Sequence, residues 1–204
     1  MMGPKEKKER ALGEHLQLKA FRSASPKGAL TRKPYRPGVH GKSRQRALSD
    51  FGRQIKEKQK FKLSYGVDER NLRQIFKRAE ERAGSTAENL IQLVEGRLDN
   101  VVYRLGFAGS RSMARQFVVH GHITVNKRIV RAPGFVVRPK DIISIRPESV
   151  AKTSFKELRE NLLKYAAPVW LKLDVAKLEG SVLSAPKDIE TPFEINVLVE
   201  SFSK

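Results

Sequence analysis

The placement of positive charge constrains this chain more than any other feature of its sequence. The 204 residues carry a formal net charge of +19, from 41 Lys and Arg against 22 Asp and Glu. Residues 1–46 hold 13 Lys and Arg against 3 Glu, and residues 97–146 hold 10 against 2 acids, whereas residues 147–204 are close to neutral. Such an excess repels itself unless a polyanion lies beside it, and each phosphate contact releases a condensed counterion. Two regions of the chain therefore predict contact with nucleic acid.

Other compositional features exclude several classes of protein. The chain has no Cys, which excludes disulfides and zinc sites built on Cys. Residues 1–10 are charged and lack the apolar segment of a secretory signal. No apolar run approaches the roughly 20 residues that a membrane-spanning helix needs. We therefore expect no cofactor, no metal, no small-molecule substrate and no membrane partner.

The first basic region, residues 1–46, is predicted to be an irregular arm. Residues 32–42 contain two Pro and two Gly, which excludes a continuous helix. Tyr35 and His40 lie among cations, and both side chains can stack on bases. We interpret the arm as an extension that becomes ordered on RNA, with Arg36, His40 and Lys42 as binding residues. The alternative is a disordered tail that only keeps the protein in solution.

Residues 47–96 are predicted to be helical. Ser49 is a suitable N-cap, and Gly66 follows a helix that runs through Tyr65. A second helix is predicted to end at Gly84, and a third to run from about Thr86 to a stop at Gly106. The apolar face predicted for the second helix consists of Leu72, Ile75, Phe76, Ala79 and Ala83.

Residues 97–146 predict a helix–turn–helix followed by a small antiparallel sheet, which makes the fold class α+β. Ser110 caps the second helix and Gly121 stops it. Strands are predicted at 123–125, after the turn at Lys127, from Phe135, and at 142–145. The residues predicted to face inward from the second helix are Met113, Ala114, Phe117 and Val118.

The second helix of this motif also carries the candidate phosphate-binding groups. Arg111 and Arg115 lie four residues apart and project from one side. The helix N-terminus offers backbone N–H groups and a positive dipole end, which favour phosphate. The residues predicted to bind RNA here are Arg97, Arg104, Ser110, Arg111, Arg115, Gln116, His120, His122, Asn126, Lys127 and Arg128.

These segments resemble the S-four RNA-binding domain, and the rest of the chain resembles the family of the fourth small-subunit ribosomal protein of bacteria. The domain motifs are SRSMARQFV (110–118), HGHITVN (120–126) and KDII (140–143). The family motifs are YRPGVHG (35–41), LSDFG (48–52), EGRLDNVVYRLGF (95–107), PVWL (168–171) and VESFSK (199–204). The resemblance covers essentially the whole chain, in order.

The resemblance implies a structural constituent of the small ribosomal subunit, located in the cytoplasm. It implies a primary binder of the subunit's RNA that nucleates assembly of the subunit body. With its neighbour, the fifth small-subunit protein, it would also influence translational accuracy. The near-neutral end suits protein contact, and we predict Glu190, Glu194 and Glu200 as the residues facing that partner. Trp170 is predicted to pack within its own domain.

Two features depart from the family pattern. Many relatives hold zinc with four cysteines, and the matching positions here are Glu6, Glu9, Ser23 and Gly28, which indicates a zinc-free variant. After Asn126 the family usually has Gly, where this chain has Lys127. A two-residue hairpin at this point needs positive φ at both residues.

The domain division predicted from these patterns has four parts. It comprises a basic extension (1–46), a helical subdomain (47–96), the S-four type domain (97–157), and a C-terminal segment (158–204) that returns to pack on the helical subdomain. The chain is predicted not to be an enzyme, since none of its four His lies in a catalytic motif. The alternatives are an RNA-modifying enzyme, which would need a catalytic domain beyond the module, and a DNA-binding helix–turn–helix regulator.

Overall fold

The structure is a computed structural model that describes residues 4–19, 25–44, 47–152, 155, 158–163, 165–187, 189 and 191–203. The chain divides into two compact units, unit 1 (Met1–Leu90 with Glu190–Lys204) and unit 2 (Ile91–Ile189). The described residues form ten helices and one five-stranded antiparallel sheet, so the predicted α+β class is confirmed.

The elements follow one another along the chain. The helices are α1 (Lys5–Leu12), α2 (Ala29–Arg32), α3 (Asp50–Tyr65), α4 (Glu69–Glu80), α5 (Thr86–Glu95), α6 (Leu98–Arg104), α7 (Arg111–Val119), α8 (Pro147–Val150), α9 (Leu158–Leu163) and α10 (Ile195–Ser203). The strands are β1 (Ile123–Val125), β2 (Arg128–Ile129), β3 (Ile142–Ile145), β4 (Leu171–Asp174) and β5 (Glu179–Val182).

The predicted ends of helix α3 are confirmed. The Ser49 side chain accepts a hydrogen bond from the Gly52 N–H, and Gly66 ends the helix with a left-handed φ of 65°. These are local effects, because a cap satisfies backbone groups that the helix itself leaves open.

Helix α4 ends at Glu80, so the predicted end at Gly84 is wrong. The Asn89 side-chain amide donates to the carbonyls of Ala79, Arg82 and Ala83 at 3.2–3.3 Å. This amide holds the residues after α4 in a turn, and Ala83, which was predicted to lie on the apolar face, is exposed. A side chain from the next helix decides the end here, which the pattern of α4 alone does not reveal.

The core of unit 1 forms where α10 packs on α3. The Phe61 ring lies 4.9 Å from Tyr65 and 5.2 Å from Phe193, measured between ring centroids. Phe76 of α4 stacks on Phe202 of α10 at 4.5 Å. Phe193, before α10, and Phe202, within it, therefore complete an aromatic core with residues of α3 and α4 that lie far earlier in the chain.

The single helix predicted from Thr86 to Leu105 is wrong, because it is interrupted at Gly96 and Arg97. Arg97 is extended (φ −70°, ψ 140°) and forms a β-bridge with Val136. The Val137 N–H donates to the Gly96 carbonyl at 2.9 Å, and the Leu98 N–H donates to the Phe135 carbonyl at 2.7 Å. The strand predicted from Phe135 is also wrong, since the described residues there form only this bridge.

The sheet of unit 2 has the order β2-β1-β3-β5-β4. Strands β1 and β2 pair through Val125 and Arg128, so Asn126 and Lys127 form a two-residue hairpin loop. Both have positive φ, 49° and 65°, which is the backbone that this turn requires despite the Lys. The strands predicted at 123–125 and 142–145 are confirmed, while β4 and β5 were not predicted.

Helices α6 and α7 pack on one apolar core with the sheet and α9. Ala114, Phe117 and Val118 are buried as predicted, but Met113 is exposed. Trp170 is buried in the same core, as expected. A Cβ at Gly180 of β5 would lie 2.4 Å from the Leu105 side chain, so this position needs glycine for the close approach of β5 to Leu105.

The compact units divide the chain differently from the predicted domains. Strands β4 and β5 lie in the predicted C-terminal segment (158–204), yet they extend the sheet of unit 2 through pairing of β5 with β3. Only the residues from 190 onward group with unit 1. As domain boundaries, the divisions at 46/47, 96/97 and 157/158 stay predictions.

Candidate nucleic-acid interface

The centre of the candidate interface in unit 2 is Asp99, in the first turn of α6. Its carboxylate accepts two hydrogen bonds from Arg97, from Nε at 3.1 Å and from Nη2 at 2.7 Å. Arg115 of α7 approaches the same carboxylate at 4.0 Å and remains about half exposed. Asp99 itself is buried, so this one acid of a strongly basic region orients two arginines.

A second buried carboxylate, Glu95 at the end of α5, fixes another pair of arginines. It is fully buried and accepts from Arg104 Nε at 3.0 Å and Arg104 Nη2 at 2.6 Å. It also accepts a short hydrogen bond from the Asn100 side-chain amide. Arg111 donates from Nε to Asn100 Oδ1 at 2.7 Å and places Nη2 3.9 Å from Glu95.

Aromatic packing completes the position of Arg111. Its guanidinium carbon lies 4.6 Å from the centroid of the Tyr103 ring. A cation over an aromatic face is attracted by the ring quadrupole, and Arg favours this geometry. The Arg111 side chain is therefore held on three sides at the beginning of α7.

The predicted cap of α7 is confirmed. The Ser110 hydroxyl accepts from the Met113 N–H at 3.3 Å, and it lies 3.1 Å from the Ser112 hydroxyl. Further along α7, Gln116 and His120 are exposed. Arg115, Gln116 and the C-cap residue His120 are therefore exposed to solvent, and of these Arg115 also approaches a buried carboxylate.

The β1–β2 hairpin supplies the other predicted cations of unit 2. Lys127 and Arg128 are exposed at its tip. Asn126 instead has a structural contact, since its side chain donates to Asp141 Oδ1 at 2.8 Å and accepts from the Ile142 N–H at 2.9 Å. The side chain of Asn126 therefore ties the hairpin to the start of β3.

His122 is half-buried, and its Nδ1 lies 2.9 Å from the Ser149 hydroxyl. Burial, followed by the nearby charges of Lys152, His120 and Arg146, lowers its pKa below the ordinary value. The His120 and His122 rings are nearly parallel, with centroids 6.1 Å apart. The cationic form of His122 is disfavoured, so it is better suited to hydrogen bonding than to carrying charge.

In unit 1 the predicted arm residues surround an ordered loop. The Arg10 guanidinium donates to the carbonyls of Lys33 and Tyr35 at 3.1 Å and lies 5.0 Å from the centroid of the Tyr35 ring. Lys42 approaches the same ring at 5.3 Å. Arg36 and His40 are exposed beside it. Residues 33–42 of the arm therefore form a cationic loop, but the arm is not irregular throughout as predicted, because it contains helices α1 and α2.

The acids predicted to face a partner protein differ in their surroundings. Glu194 accepts two hydrogen bonds from Arg53 Nη2, at 2.9 and 3.0 Å, and both side chains are more than half exposed. Glu200 is exposed on α10. Glu190 lies outside the described residues.

Glu6 and Glu9, two of the four positions that the family resemblance matches to zinc-binding cysteines, have other contacts here. Glu9 is buried, and its carboxylate accepts from the N–H groups of Leu16 and Leu18 at 3.2 and 3.0 Å. Glu6 lies 3.6 Å from Lys19, and Ser23 lies outside the described residues. Among the described residues, no three His, Asp or Glu side chains come together as metal ligands. Within the same residues, no helix has the length and apolarity for crossing a membrane.

Three residues of this interface, Glu95, Asn100 and Tyr103, are not among those predicted to bind RNA. One signal was present, because Glu95 and Asp99 are the acids that flank Arg97 in a segment with few other acids. Their contacts depend on the interruption between α5 and α6, which the helical pattern did not predict. Arg97 and Arg104, in turn, were predicted as RNA ligands and lie in internal ion pairs.

Comparison with known proteins indicates the family of this chain. Residues 1–95 match the family described as ribosomal protein S4/S9 N-terminal domain, and residues 96–143 match the S4 domain. The chain is 46% identical over 194 residues to small ribosomal subunit protein uS4A of Alkaliphilus metalliredigens, which covers 94% of this chain and 93% of the relative. It is 44% identical to uS4 of Caldicellulosiruptor bescii (100% and 98% covered) and 46% identical to uS4 of Gloeobacter violaceus (99% and 98%).

Proposed function

This chain belongs to the bacterial uS4 family of small ribosomal subunit proteins, and from that premise we propose that it is a primary binder of small-subunit ribosomal RNA that nucleates assembly of the subunit body. As a family member it is a structural constituent of the ribosome, and ribosomal RNA binding is implied. What the proposal adds is the early place in assembly and the residues that make the contact.

The observation that carries this proposal is the cationic surface of α7 and the β1–β2 hairpin. Arg115 is about half exposed, and Lys127 and Arg128 are exposed, while Arg111 keeps a partly exposed guanidinium at the start of α7. Structured RNA is recognised mainly by shape and by phosphate and 2′-OH contacts. Cations on a helix and a hairpin suit a folded RNA junction better than a single extended strand.

The test replaces Arg111 and Arg115 together by Ala and measures binding to a small-subunit ribosomal RNA transcript over a range of salt concentrations. Each lost phosphate contact lowers the salt slope by about one, so we expect weaker binding and a slope smaller by about two. The matched control is Lys172→Ala with Lys177→Ala, two exposed cations in and beside β4, at the sheet edge opposite β2. Equal effects of the two pairs would indicate a general charge effect and contradict the proposed surface.

The assembly role has its own measurement. In reconstitution of small subunits from RNA and purified proteins, we expect omission of this protein to prevent the binding of proteins that join the subunit body later. The Arg111→Ala, Arg115→Ala variant would delay those proteins in proportion to its lost RNA affinity. Normal assembly order without this protein would contradict the nucleating role.

For the near-neutral C-terminal part we propose contact with the neighbouring fifth small-subunit protein and an influence on translational accuracy. Glu200 is the better candidate for that contact, because Glu194 already has Arg53 as an ion-pair partner. Charge complementarity at such an interface acts mainly on specificity and register.

The corresponding experiment is Glu200→Lys in a misreading assay, with RNA affinity measured in parallel. We expect misreading to change while RNA affinity stays equal or rises. Arg53→Ala is the control, because it breaks the Arg53–Glu194 pair without changing the acid at position 200. A loss of RNA affinity with unchanged accuracy would indicate an RNA-binding or folding role instead.

A further inference from the structure

We infer that Glu95 is a positioning residue for RNA recognition, whose buried carboxylate fixes the guanidinium groups of Arg104 and Arg111 in the geometry that the RNA requires. This inference rests on the proposed RNA-binding function of unit 2. It assigns a role to an acid in a surface that would otherwise be described by its positive charge alone.

Position 95 requires a carboxylate. Oε2 of Glu95 accepts from Arg104 Nε and from the Asn100 side-chain amide, while Oε1 accepts from Arg104 Nη2. Both oxygens thus face donors. A Gln of the same shape would place an NH₂ group against at least one of these donors in either orientation of its amide.

Glu95 acts on Arg111 largely through Asn100. The Asn100 amide donates to the Glu95 carboxylate and to the Glu95 backbone carbonyl, which fixes its orientation. Its Oδ1 then faces outward and accepts from Arg111 Nε at 2.7 Å. Asn100 is buried, so this chain of contacts connects the end of α5 to the first residue of α7 within the core of unit 2.

The arginines that Glu95 holds remain partly accessible to RNA. The side chains of Arg104 and Arg111 are 25% and 15% exposed, whereas Glu95 is completely covered. RNA therefore meets the edges of guanidinium groups whose other edges the protein already holds. Binding to such a surface loses less side-chain entropy than binding to mobile arginines.

Because of this arrangement, removal of the Glu95 carboxylate is expected to change the affinity for ribosomal RNA in the direction opposite to that expected from net charge alone. Removing an acid raises the net charge by one, which favours any polyanion. Loss of positioning disfavours only the RNA whose phosphates match the fixed guanidiniums. Discrimination between ribosomal and unrelated RNA therefore separates the two effects.

The experiment compares Glu95→Gln with Glu160→Gln, which changes the charge equally at an exposed acid on α9. The probes are a small-subunit ribosomal RNA transcript and an unrelated RNA duplex of equal length. For Glu95→Gln we expect a loss of about tenfold in affinity for the ribosomal transcript, from two arginines that must now be ordered on binding. We expect the affinity of Glu95→Gln for the duplex to stay equal or rise. For Glu160→Gln we expect a slightly higher affinity for both RNAs.

A second pair of variants covers the case in which Glu95→Gln unfolds unit 2. Tyr103→Leu removes the ring under Arg111 and leaves the net charge unchanged, and we expect a loss of about threefold for the ribosomal transcript. Tyr103→Phe restores the ring, and we expect it to bind more tightly than Tyr103→Leu.

The outcomes separate this inference from the function on which it rests. If Arg111→Ala with Arg115→Ala leaves affinity and salt slope unchanged, the RNA surface itself is wrong, and the positioning role with it. If that pair weakens binding but Glu95→Gln behaves like Glu160→Gln, the positioning role alone is overturned. If Glu95→Gln does not fold, equal affinities of Tyr103→Leu and Tyr103→Phe overturn the requirement for a positioned Arg111 guanidinium, and with it the role of Glu95 in positioning that group.

Discussion

Single residues in this protein are held in unusual conformations where a turn requires them. Lys127 adopts a φ of 65°, although a side chain with a Cβ disfavours that region by about 1–2 kcal/mol. Its neighbour Asn126 tolerates the same region more readily, and two hydrogen bonds to Asp141 and Ile142 secure it. Lys127 thus combines a strained backbone with an exposed cation at the hairpin tip.

We therefore predict that Lys127→Gly stabilises unit 2 and weakens RNA binding. Relief of the backbone strain is expected to raise the free energy of unfolding by about 0.5–1 kcal/mol. Trp170, the single Trp of the chain, is buried in unit 2 and reports this transition by fluorescence during urea unfolding.

The same variant removes one cation, so the salt slope of RNA binding is expected to fall by about one. Lys127→Ala is the matched control, because it removes the charge and retains the Cβ. If Lys127→Ala stabilises unit 2 as much as Lys127→Gly, backbone strain is not the cause.

At the scale of elements, an acid–base cluster connects helices α3 and α4. Glu69, in the first turn of α4, lies 2.6 Å from Lys58 and 2.8 Å from Lys62, both on α3. Burial alone would raise the pKa of Glu69, but the hydrogen bonds from these two lysines dominate and lower it to about 2. The carboxylate is therefore more stable in the folded protein than in the unfolded chain.

The pH dependence follows from this lowered pKa. The contribution of Glu69 to the free energy of unfolding is present above pH 4.5 and is lost as the pH falls through about 2. We expect Glu69→Gln to be less stable than the parent at neutral pH, by at most about 1 kcal/mol because the pair is partly exposed and screened. The difference is expected to shrink between pH 4.5 and 2, as measured by urea unfolding followed by circular dichroism.

Glu80→Gln, at the exposed end of α4, is the control for the loss of one acid from the same helix. Parallel pH profiles of the parent and Glu69→Gln across this range would contradict a role for the cluster. High salt is expected to reduce the difference at neutral pH, since exposed pairs are screened.

For the whole molecule, the charge of the arm and the core of unit 2 are separable. Residues 1–46 hold 13 Lys and Arg against 3 Glu. Among the described residues, the apolar core of unit 2 consists of side chains from Leu98 to Val182. Unit 1, by contrast, uses Glu14 of the arm as an ion-pair partner of the buried Lys60.

Deletion of residues 1–46 is therefore predicted to have different effects on the two units. We expect the salt dependence of RNA binding to fall sharply, because many candidate phosphate contacts are removed. The unfolding transition reported by Trp170 in unit 2 is expected to remain. The helices of unit 1 are expected to unfold more easily than in the full chain. Loss of the Trp170 transition in the truncated protein would contradict an independent core.

The sequence by itself determined the features that depend on neighbouring residues. Ser49, Gly66 and Ser110 fix helix ends through contacts within one turn, and these predictions are confirmed. The apolar spacing of α7 and the alternation of β1 and β3 likewise arise from the local period of each element. The basic blocks and the family motifs indicated an RNA-binding ribosomal protein without any knowledge of packing.

Tertiary structure alone decided the features that join distant residues. The interruption at Gly96 and Arg97 arises from backbone pairing with residues 135–137, and Asn89 ends α4. Strand β5 joins the sheet by pairing with β3, and β4 joins it by pairing with β5, which no local pattern encodes. The contacts of Glu95 and Asp99 exist only because α5, α6 and α7 converge there. Whether an arginine lies free on a surface or is held by a buried carboxylate is a matter of packing, so the sequence could place the charge but not its geometry.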